Sequence, residues 1–273
     1  MHKYESPYPN WPVTDIIHTG FAKVLKNNNL VEFDQEELFG NWKKLSVFFD
    51  ELVIRDTEEK DNESLVYNRN NGWFPDGDAL TYYGMIREYQ PQRIVEIGSG
   101  HSTRVALQAI CSNKSKCQMT CIEPYRYAEL KKMAGDIHLK TVPVETLDPV
   151  YFKQLQAKDI LFIDSSHIVK PHSDVIYEIL GVLPLLNSGV LVHFHDIFLP
   201  NDYPSEWITK QRRCYSEQWF LAAFLHRNPD WRILLANHCL SLGKTNQMKE
   251  WMQENKIQNQ ITNHGGSLWL QKK

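Results

Sequence analysis

The sequence predicts an α/β fold built on a parallel sheet with helices on both faces. Two observations carry this. From about residue 79 onward, short apolar runs alternate with helical patterns at the spacing of βαβ units. The runs themselves, such as "DILFID" (159–164) and "GVLVHFHD" (189–196), are almost continuously apolar, as strands buried on both faces are.

The elements follow in order. Asp34 precedes "QEELFGNWKKLSVFFDELV", a helix that Asp34 caps and Glu37 closes as a capping box. Leu38, Trp42, Leu45, Phe49 and Leu52 recur at helical spacing and belong to a core. Residues 1–30 read as an arm, and 55–64 as a solvated linker. Helices are expected at 79–90, 102–110, 127–135, 148–156, 173–186 and 216–227. Strands are expected at 93–98, 118–123, 137–144, 159–164, 189–196, 231–240 and at the C-terminus. The domain division is therefore 1–70, an N-terminal arm and helical extension, and 71–273, the sheet domain.

Composition narrows the class. Of 273 residues, 42% are hydrophobic, and the net charge is −3. No basic stripe is present, so no nucleic-acid partner is expected. No apolar run reaches transmembrane length and the start lacks a signal-peptide core, so the expectation is a cytoplasmic protein with no membrane partner. Cysteines 111, 117, 121, 214 and 239 contain no C-x-x-C pair and read as free thiols.

In an open parallel sheet, ligands bind beyond the carboxyl ends of the strands. Those ends carry Glu96 with the loop Gly98-Ser99-Gly100, then Glu123, then Asp164-Ser-Ser-His167, then His195-Asp196. Glycines let a ligand approach the backbone, and a helix start offers free N–H groups to a carboxylate. Glu123 stands 25 residues past Gly98, where an acid can take both ribose hydroxyls of an adenosine. A lone strand-tip glutamate is more often solvated or a cap. It is the combination with the glycine loop that points to an adenosine ligand.

"VEIGSGHST", "CIEP", "LFIDSSH" and "GVLVHFHDIF" together resemble the class I S-adenosylmethionine-dependent methyltransferases, from about Asn71 to the C-terminus. The "IDSSH" and "HDIFLP" segments are similar to those of bacterial small-molecule and polysaccharide-pathway enzymes of that class. The resemblance implies a Rossmann-like, doubly wound, mostly parallel sheet with a C-terminal antiparallel strand. It implies S-adenosyl-L-methionine as cofactor, with Glu96, Gly98, Ser99, Gly100, Ser102 and Thr103 around the methionine part. It further implies Glu123 on the ribose and Val144 and Glu145 beside the adenine, and Asp164 is counted with them among the cofactor-binding residues.

A hydroxyl acceptor must lose its proton. A histidine base could take it, or a divalent metal could lower its pKa. His195, Asp196 and His167 are the candidate catalytic residues. Asp164, His195 and Asp196 also resemble the metal ligands of catechol-type O-methyltransferases, with His-Asp where those have Asp-Asn. Magnesium, manganese, iron and zinc all remain open. Asp196 as a turn cap is the bland alternative, and His193, deeper in its strand, reads as a satisfied core histidine. The long segment 198–216, with Tyr203 and Trp207, reads as a lid. The expected acceptor is a small molecule or sugar, and a homo-oligomer stays open. A metal-dependent hydroxylase on the same fold and a non-catalytic cofactor-binding module are the competing readings. A nicotinamide dehydrogenase is disfavoured by the missing third glycine.

Overall fold

The computed structural model describes residues 30–56, 66–113, 116–125, 133, 135 and 137–273. The arm at 1–29, the linker at 57–64 and the expected helix at 127–135, save 133 and 135, lie outside them.

Seven strands form the main sheet: β1 Arg93–Ile97, β2 Gln118–Ile122, β3 His138–Lys140, β4 Ile160–Ile163, β5 Leu191–Phe194, β6 Trp231–Ala236 and β7 Leu268–Lys272. Their order is β3-β2-β1-β4-β5-β7-β6. The first five run parallel, and β7 pairs antiparallel with both β5 and β6. This is the doubly wound, mostly parallel sheet that the sequence predicts, including its antiparallel C-terminal strand. Both β4 and β5 are buried at every position, as their unbroken apolar character requires.

Helix α1 (Gln35–Ser46) starts at Asp34, whose side chain accepts from the N–H groups of Glu36 and Glu37. Glu37 does not close a capping box. Its carboxylate instead takes the guanidinium of Arg232. Leu38, Trp42, Leu45, Phe49 and Leu52 are buried in the same apolar cluster as the sheet. Helix α2 (Asp76–Tyr89) is buried from Asp76 to Ile86. A Cβ on Gly84 would stand 2.8 Å from that of Leu45, so the glycine lets α1 and α2 touch. Helix α3 (His101–Asn113) packs against α2.

Several boundaries differ from expectation. The strand read at 137–144 ends at Lys140, because Pro143 has no N–H to donate and a 3-10 turn follows at Val144–Thr146. The helix read at 148–156 is a 3-10 helix, Pro149–Gln154, capped by Asp148. The helix read at 173–186 has only a short α start, α4 (Asp174–Ile176). It widens into a π turn at Tyr177–Val182 and closes as a 3-10 turn at Leu183–Leu185. Pro184 cannot complete an α ladder there. β6 ends at Ala236, not at 240. Asn237 then opens a long helix, and its side chain is drawn to Asp78 and Thr81. The segment after β5 contains a short helix, α5 (Ser205–Thr209), before α6 (Glu217–Leu225) and α7 (Asn237–Glu254). Among the described residues, no helix is long and apolar enough to cross a membrane.

Candidate active site

Register builds the site. Ile97 stands opposite Ile122 and Ile163, and Ile163 opposite Phe194. The next residue on each strand, Gly98, Glu123, Asp164 and His195, therefore falls in one row at the carboxyl edge. Backbone bonds pin that row: Gly98 N–H to Ile122 C=O, Asp164 N–H to Ile97 C=O, and His195 N–H to Ile163 C=O.

A cleft of about 1630 Å³ runs along this edge. Gly98, Ser99, Gly100, Ser102, Glu123, Val144, Glu145, Asp164, His167, His195 and Asp196 all line it. Gly98 is required: its φ is +77°, and a Cβ would meet the Asp164 carbonyl oxygen at 2.0 Å. A Cβ on Gly100 would meet nothing within 4 Å, which leaves the loop open toward the cleft. The Glu123 carboxylate accepts from Tyr125 N–H at 2.8 Å and Ser99 N–H at 3.3 Å. It thus fixes the loop from the tip of β2. Burial raises its pKa.

Two of the expected cofactor residues do not line the cleft. Thr103 is fully buried, and its hydroxyl accepts from Gly100 N–H at 3.0 Å. Glu96 lies beneath the loop, where Ser102 and Thr103 donate to its Oε1. Burial pushes it up to about 8, which favours the neutral carboxyl near neutral pH, and among the described residues its Oε2 has no hydrogen-bond partner. These two shape the loop from below instead of facing a ligand directly.

The reacting end is a cluster of carboxylates and imidazoles. His195 Nε2 meets Asp78 Oδ2 at 3.2 Å. Its Nδ1 faces Asp164 Oδ1 at 3.4 Å and Asp196 Oδ1 at 3.5 Å. His167 Nδ1 meets Glu217 Oε2 at 2.7 Å, and its Nε2 faces Asp164 Oδ1 at 3.3 Å and Asp196 Oδ2 at 3.7 Å. Burial alone would lower both histidines. The adjacent carboxylates outweigh it and hold both imidazoles well above their ordinary range. Burial opposes ionisation of Asp164 too, yet His195 and His167 keep it charged, below the usual carboxylate range. Asp196, buried with less help, is pushed up. Both His167 and Asp196 hold left-handed backbones, at φ 59° and 57°, a conformation that non-glycine residues keep only where their surroundings impose it.

Sequence reasoning missed Asp78 and Glu217. Each opens a helix, where an acid is ordinary because it complements the helix dipole, so nothing local marks them. His193 lies below the cluster. Its ring stacks on Phe162 with centroids 4.0 Å apart, and its Nε2 is 2.7 Å from Ser267 Oγ. Burial takes its pKa down to about 3, so it stays neutral. Over the cleft, the edges of Phe198, Tyr203, Trp207 and Tyr215 pack together. The guanidinium of Arg213 lies 4.1 Å over the Trp207 ring.

Among the described residues, no group of three or more His, Cys, Asp and Glu is placed to hold a metal ion. In the cluster, imidazole nitrogens span the gaps between carboxylates instead.

Residues 95–197 match the family described as "Methyltransferase domain". A protein of Archaeoglobus fulgidus, named only as uncharacterized, is 30% identical over 162 residues, 56% of this chain and 72% of that protein. Among solved structures, the S-adenosylhomocysteine-bound methyltransferase PaMTH1 of Podospora anserina aligns at 17% identity and a TM-score of 0.45, covering 96% of this chain and 95% of that one. The O-methyltransferase TomG of Streptomyces achromogenes aligns at 15% identity and a TM-score of 0.45, covering 88% and 99%. The family match spans β1 to the end of β5, the stretch whose strand tips make the row of Gly98, Glu123, Asp164 and His195. Over residues 95–197 the chain is thus similar to the methyltransferase-domain family, in the stretch that builds the carboxyl edge of the sheet.

Proposed function

We propose that the chain transfers the methyl group of S-adenosylmethionine to a hydroxyl oxygen of a small molecule or sugar. One observation carries this reading. A single cleft joins the Gly98–Gly100 loop and Glu123 to the cluster of Asp164, His167, His195 and Asp196. A cofactor held by the loop and Glu123 would point its sulfonium toward that cluster. The acceptor would enter under the aromatic side formed by Phe198, Trp207 and Tyr215.

Methyl transfer is an in-line displacement, and alignment supplies much of the rate. In this reading Gly98–Gly100 hold the methionine part, Glu123 the ribose hydroxyls, and Val144 with Glu145 the adenine edge. Asp164 and Asp196, whose side chains are 33% and 15% exposed, face the acceptor oxygen. Neither His195 nor His167 offers a free ring nitrogen as it stands, because carboxylates engage both sides of each ring. That disfavours a simple histidine base and leaves metal assistance as the other route. Two carboxylates and two imidazoles are donors of the kind a divalent ion takes, although as they stand no three of them are placed to hold one. Asp164, His195 and Asp196 would hold it. Bound there, such an ion supplies positive charge that lowers the pKa of a nearby hydroxyl.

The test is calorimetry with S-adenosylhomocysteine, then methyl transfer from labelled cofactor to a panel of polyols, sugars and phenols. Micromolar binding with transfer to oxygen supports the reading. Binding with transfer only to nitrogen or sulfur overturns the O-methyl assignment.

A further inference from the structure

We propose that Arg213 and Lys170 form an oxyanion-recognising rim on the acceptor side of the cleft, so that the acceptor is a hydroxyl compound bearing a carboxylate or phosphate group, as a sugar acid, a sugar phosphate or a hydroxybenzoate does. This rests on the O-methyl-transfer reading above and names the substrate class within it.

The place of the two cations comes first. Both line the cleft that holds Asp164, His167 and Asp196. They stand on different segments, which hydrogen bonds tie together. Val169 N–H donates to Ser216 Oγ at 2.9 Å, and Ser216 N–H donates to the His167 carbonyl at 2.8 Å. Lys170 follows Val169 directly and Arg213 shortly precedes Ser216, so both belong to one stretch of the cleft wall.

Arg213 is fixed in advance. Its N–H donates to the Trp207 carbonyl at 2.9 Å, which holds the two residues together. The guanidinium lies 4.1 Å from the centroid of the Trp207 ring and 5.4 Å from that of Tyr215, and its Nη1 donates to the Tyr215 hydroxyl at 3.4 Å. Trp207 in turn packs edge-on against Phe198 at 5.2 Å. Stacking uses the flat face of a guanidinium and leaves its N–H edge to donate.

Charge balance is a second, independent sign. Among the described residues, neither Arg213 nor Lys170 forms an ion pair with a carboxylate. The acids of the same segments are already engaged. Asp174 accepts from the N–H and Oγ of Ser166, Asp202 accepts from Tyr203 N–H and Trp219 Nε1, and Glu206 pairs with Lys210. Two uncompensated positive charges therefore line this wall. A guanidinium fork takes a carboxylate or phosphate through two parallel hydrogen bonds, and a lysine adds a point charge.

Distance sets the size of the acceptor. The Tyr215 ring lies 4.6 Å from the His167 ring and 5.4 Å from the guanidinium carbon. Those two steps laid end to end bound the distance from Arg213 to the imidazole that faces Asp164 and Asp196. One six-membered ring with a hydroxyl at one end and an anionic group at the other fits that span. The carboxylates repel the anionic end and the rim attracts it, so such an acceptor enters with its hydroxyl toward Asp164 and Asp196.

The experiment uses the whole chain saturated with S-adenosylhomocysteine, and matched probes: glucuronate and glucose-6-phosphate each against glucose, and protocatechuate against catechol. Calorimetry should find at least one anionic probe bound about 10–100-fold more tightly than its neutral counterpart, the scale of hydrogen bonds to a charged group. The pair that shows the gap tells carboxylate from phosphate. Arg213→Gln should remove most of the gap. Arg213→Lys should keep part of it, because a point charge cannot fork. Lys170→Gln, at an exposed position, should narrow it by less. The S-adenosylhomocysteine affinity of each variant reports that its fold persists. Equal affinity within every pair, or no binding of any probe, overturns the rim. So does a loss in Arg213→Gln that is equal for both members of a pair, which would make Arg213 only a cover for Trp207. Labelled cofactor separates this from the reading it rests on. Anionic probes that bind as expected but are methylated at no oxygen keep the rim and lose O-methyl transfer. Neutral probes methylated at oxygen as readily as anionic ones keep O-methyl transfer and lose the rim.

Discussion

Asp78 Oδ2 and His195 Nε2 lie 3.2 Å apart although 117 residues separate them in sequence. The contact ties the start of α2 to the tip of β5. Asp78 also receives Gly266, Ser267 and Asn237, so one carboxylate holds three chain segments at the cleft.

Asp78→Asn should be costly. An amide cannot accept from four donors, and it leaves a buried imidazolium without its counter-charge. Breaking a buried pair from one side costs about 3–5 kcal/mol. Burial opposes the charge on Asp78, but the His195 contact wins and its pKa is lowered. A depressed carboxylate contributes stability that is present above its unfolded pKa, near 4, and is lost as pH falls through the lower folded value. Urea unfolding of the metal-free chain should therefore show the deficit of the variant at pH 7 and a shrinking gap as the solution is acidified below about 4. Equal midpoints at pH 7 would show that Asp78 is not holding His195.

Glu123→Ala should weaken S-adenosylhomocysteine by about 1.5–3 kcal/mol, the scale of hydrogen bonds to a charged group. Part of the loss comes from the loop, since the same carboxylate binds Ser99 N–H and Tyr125 N–H. Glu123→Gln keeps an acceptor for one of them and should fall between. Calorimetry that finds unaltered affinity in both variants removes Glu123 from the ribose.

The sequence makes the sheet legible because its signals are local. Apolar runs mark β1, β4 and β5, glycines mark the turn at Gly98, and chemistry-bearing residues stand at strand ends. Helix type was less legible: Pro184 is visible, but the widening at Tyr177–Val182 that precedes it is not. The site divides in the same way. Asp164, His167, His195 and Asp196 follow directly on strands and could be found. Asp78 and Glu217 reach the site only through the antiparallel return of β7 and the packing of α6, and each imitates a helix-start acid. Glu96 misleads in the other direction. It stands at a strand tip in sequence, yet its side chain turns under α3 toward Ser102 and Thr103.

Gly98→Ala should damage both stability and binding. The new methyl would enter the Asp164 carbonyl at 2.0 Å, on a backbone with φ +77°. Strain of the left-handed conformation and overpacking together suggest about 3 kcal/mol or more. Gly100→Ala meets no neighbouring atom in the folded chain, so its effect should fall on cofactor affinity and spare the melting temperature. A Gly98→Ala protein that melts with the parent would refute the close approach of loop and β4.

Thiol reactivity should follow burial. Cys111 is exposed, while Cys121 and Cys239 are buried and burial raises their pKa values. Alkylation under native conditions, read by mass spectrometry, should label Cys111 early and leave Cys121 and Cys239 until unfolding. Early modification of Cys121 would mean that the sheet opens near β2.

The route of the acceptor proton can be read from pH and chelation together. Asp164, Asp196 and Asp78 hold His195 well above the ordinary histidine range against the opposing effect of burial. In the metal-free chain it is therefore an imidazolium at neutral pH, and a base only at higher pH. If His195 took the proton directly, methyl transfer would ignore chelator and climb with pH through that raised value. His195→Ala would then lose the alkaline gain, at a cost of about 10²–10⁴ in rate. The expected outcome is different. Chelation should abolish transfer and leave S-adenosylhomocysteine affinity intact, since the Gly98–Gly100 loop and Glu123 lie outside the cluster. Returning a divalent ion should restore it. Asp164→Asn and Asp196→Asn should each prevent that restoration, because a neutral amide replaces a charged oxygen donor. Undiminished transfer in chelator, together with undiminished transfer by His195→Ala, would falsify both routes and leave the two imidazoles to hold the carboxylates in place.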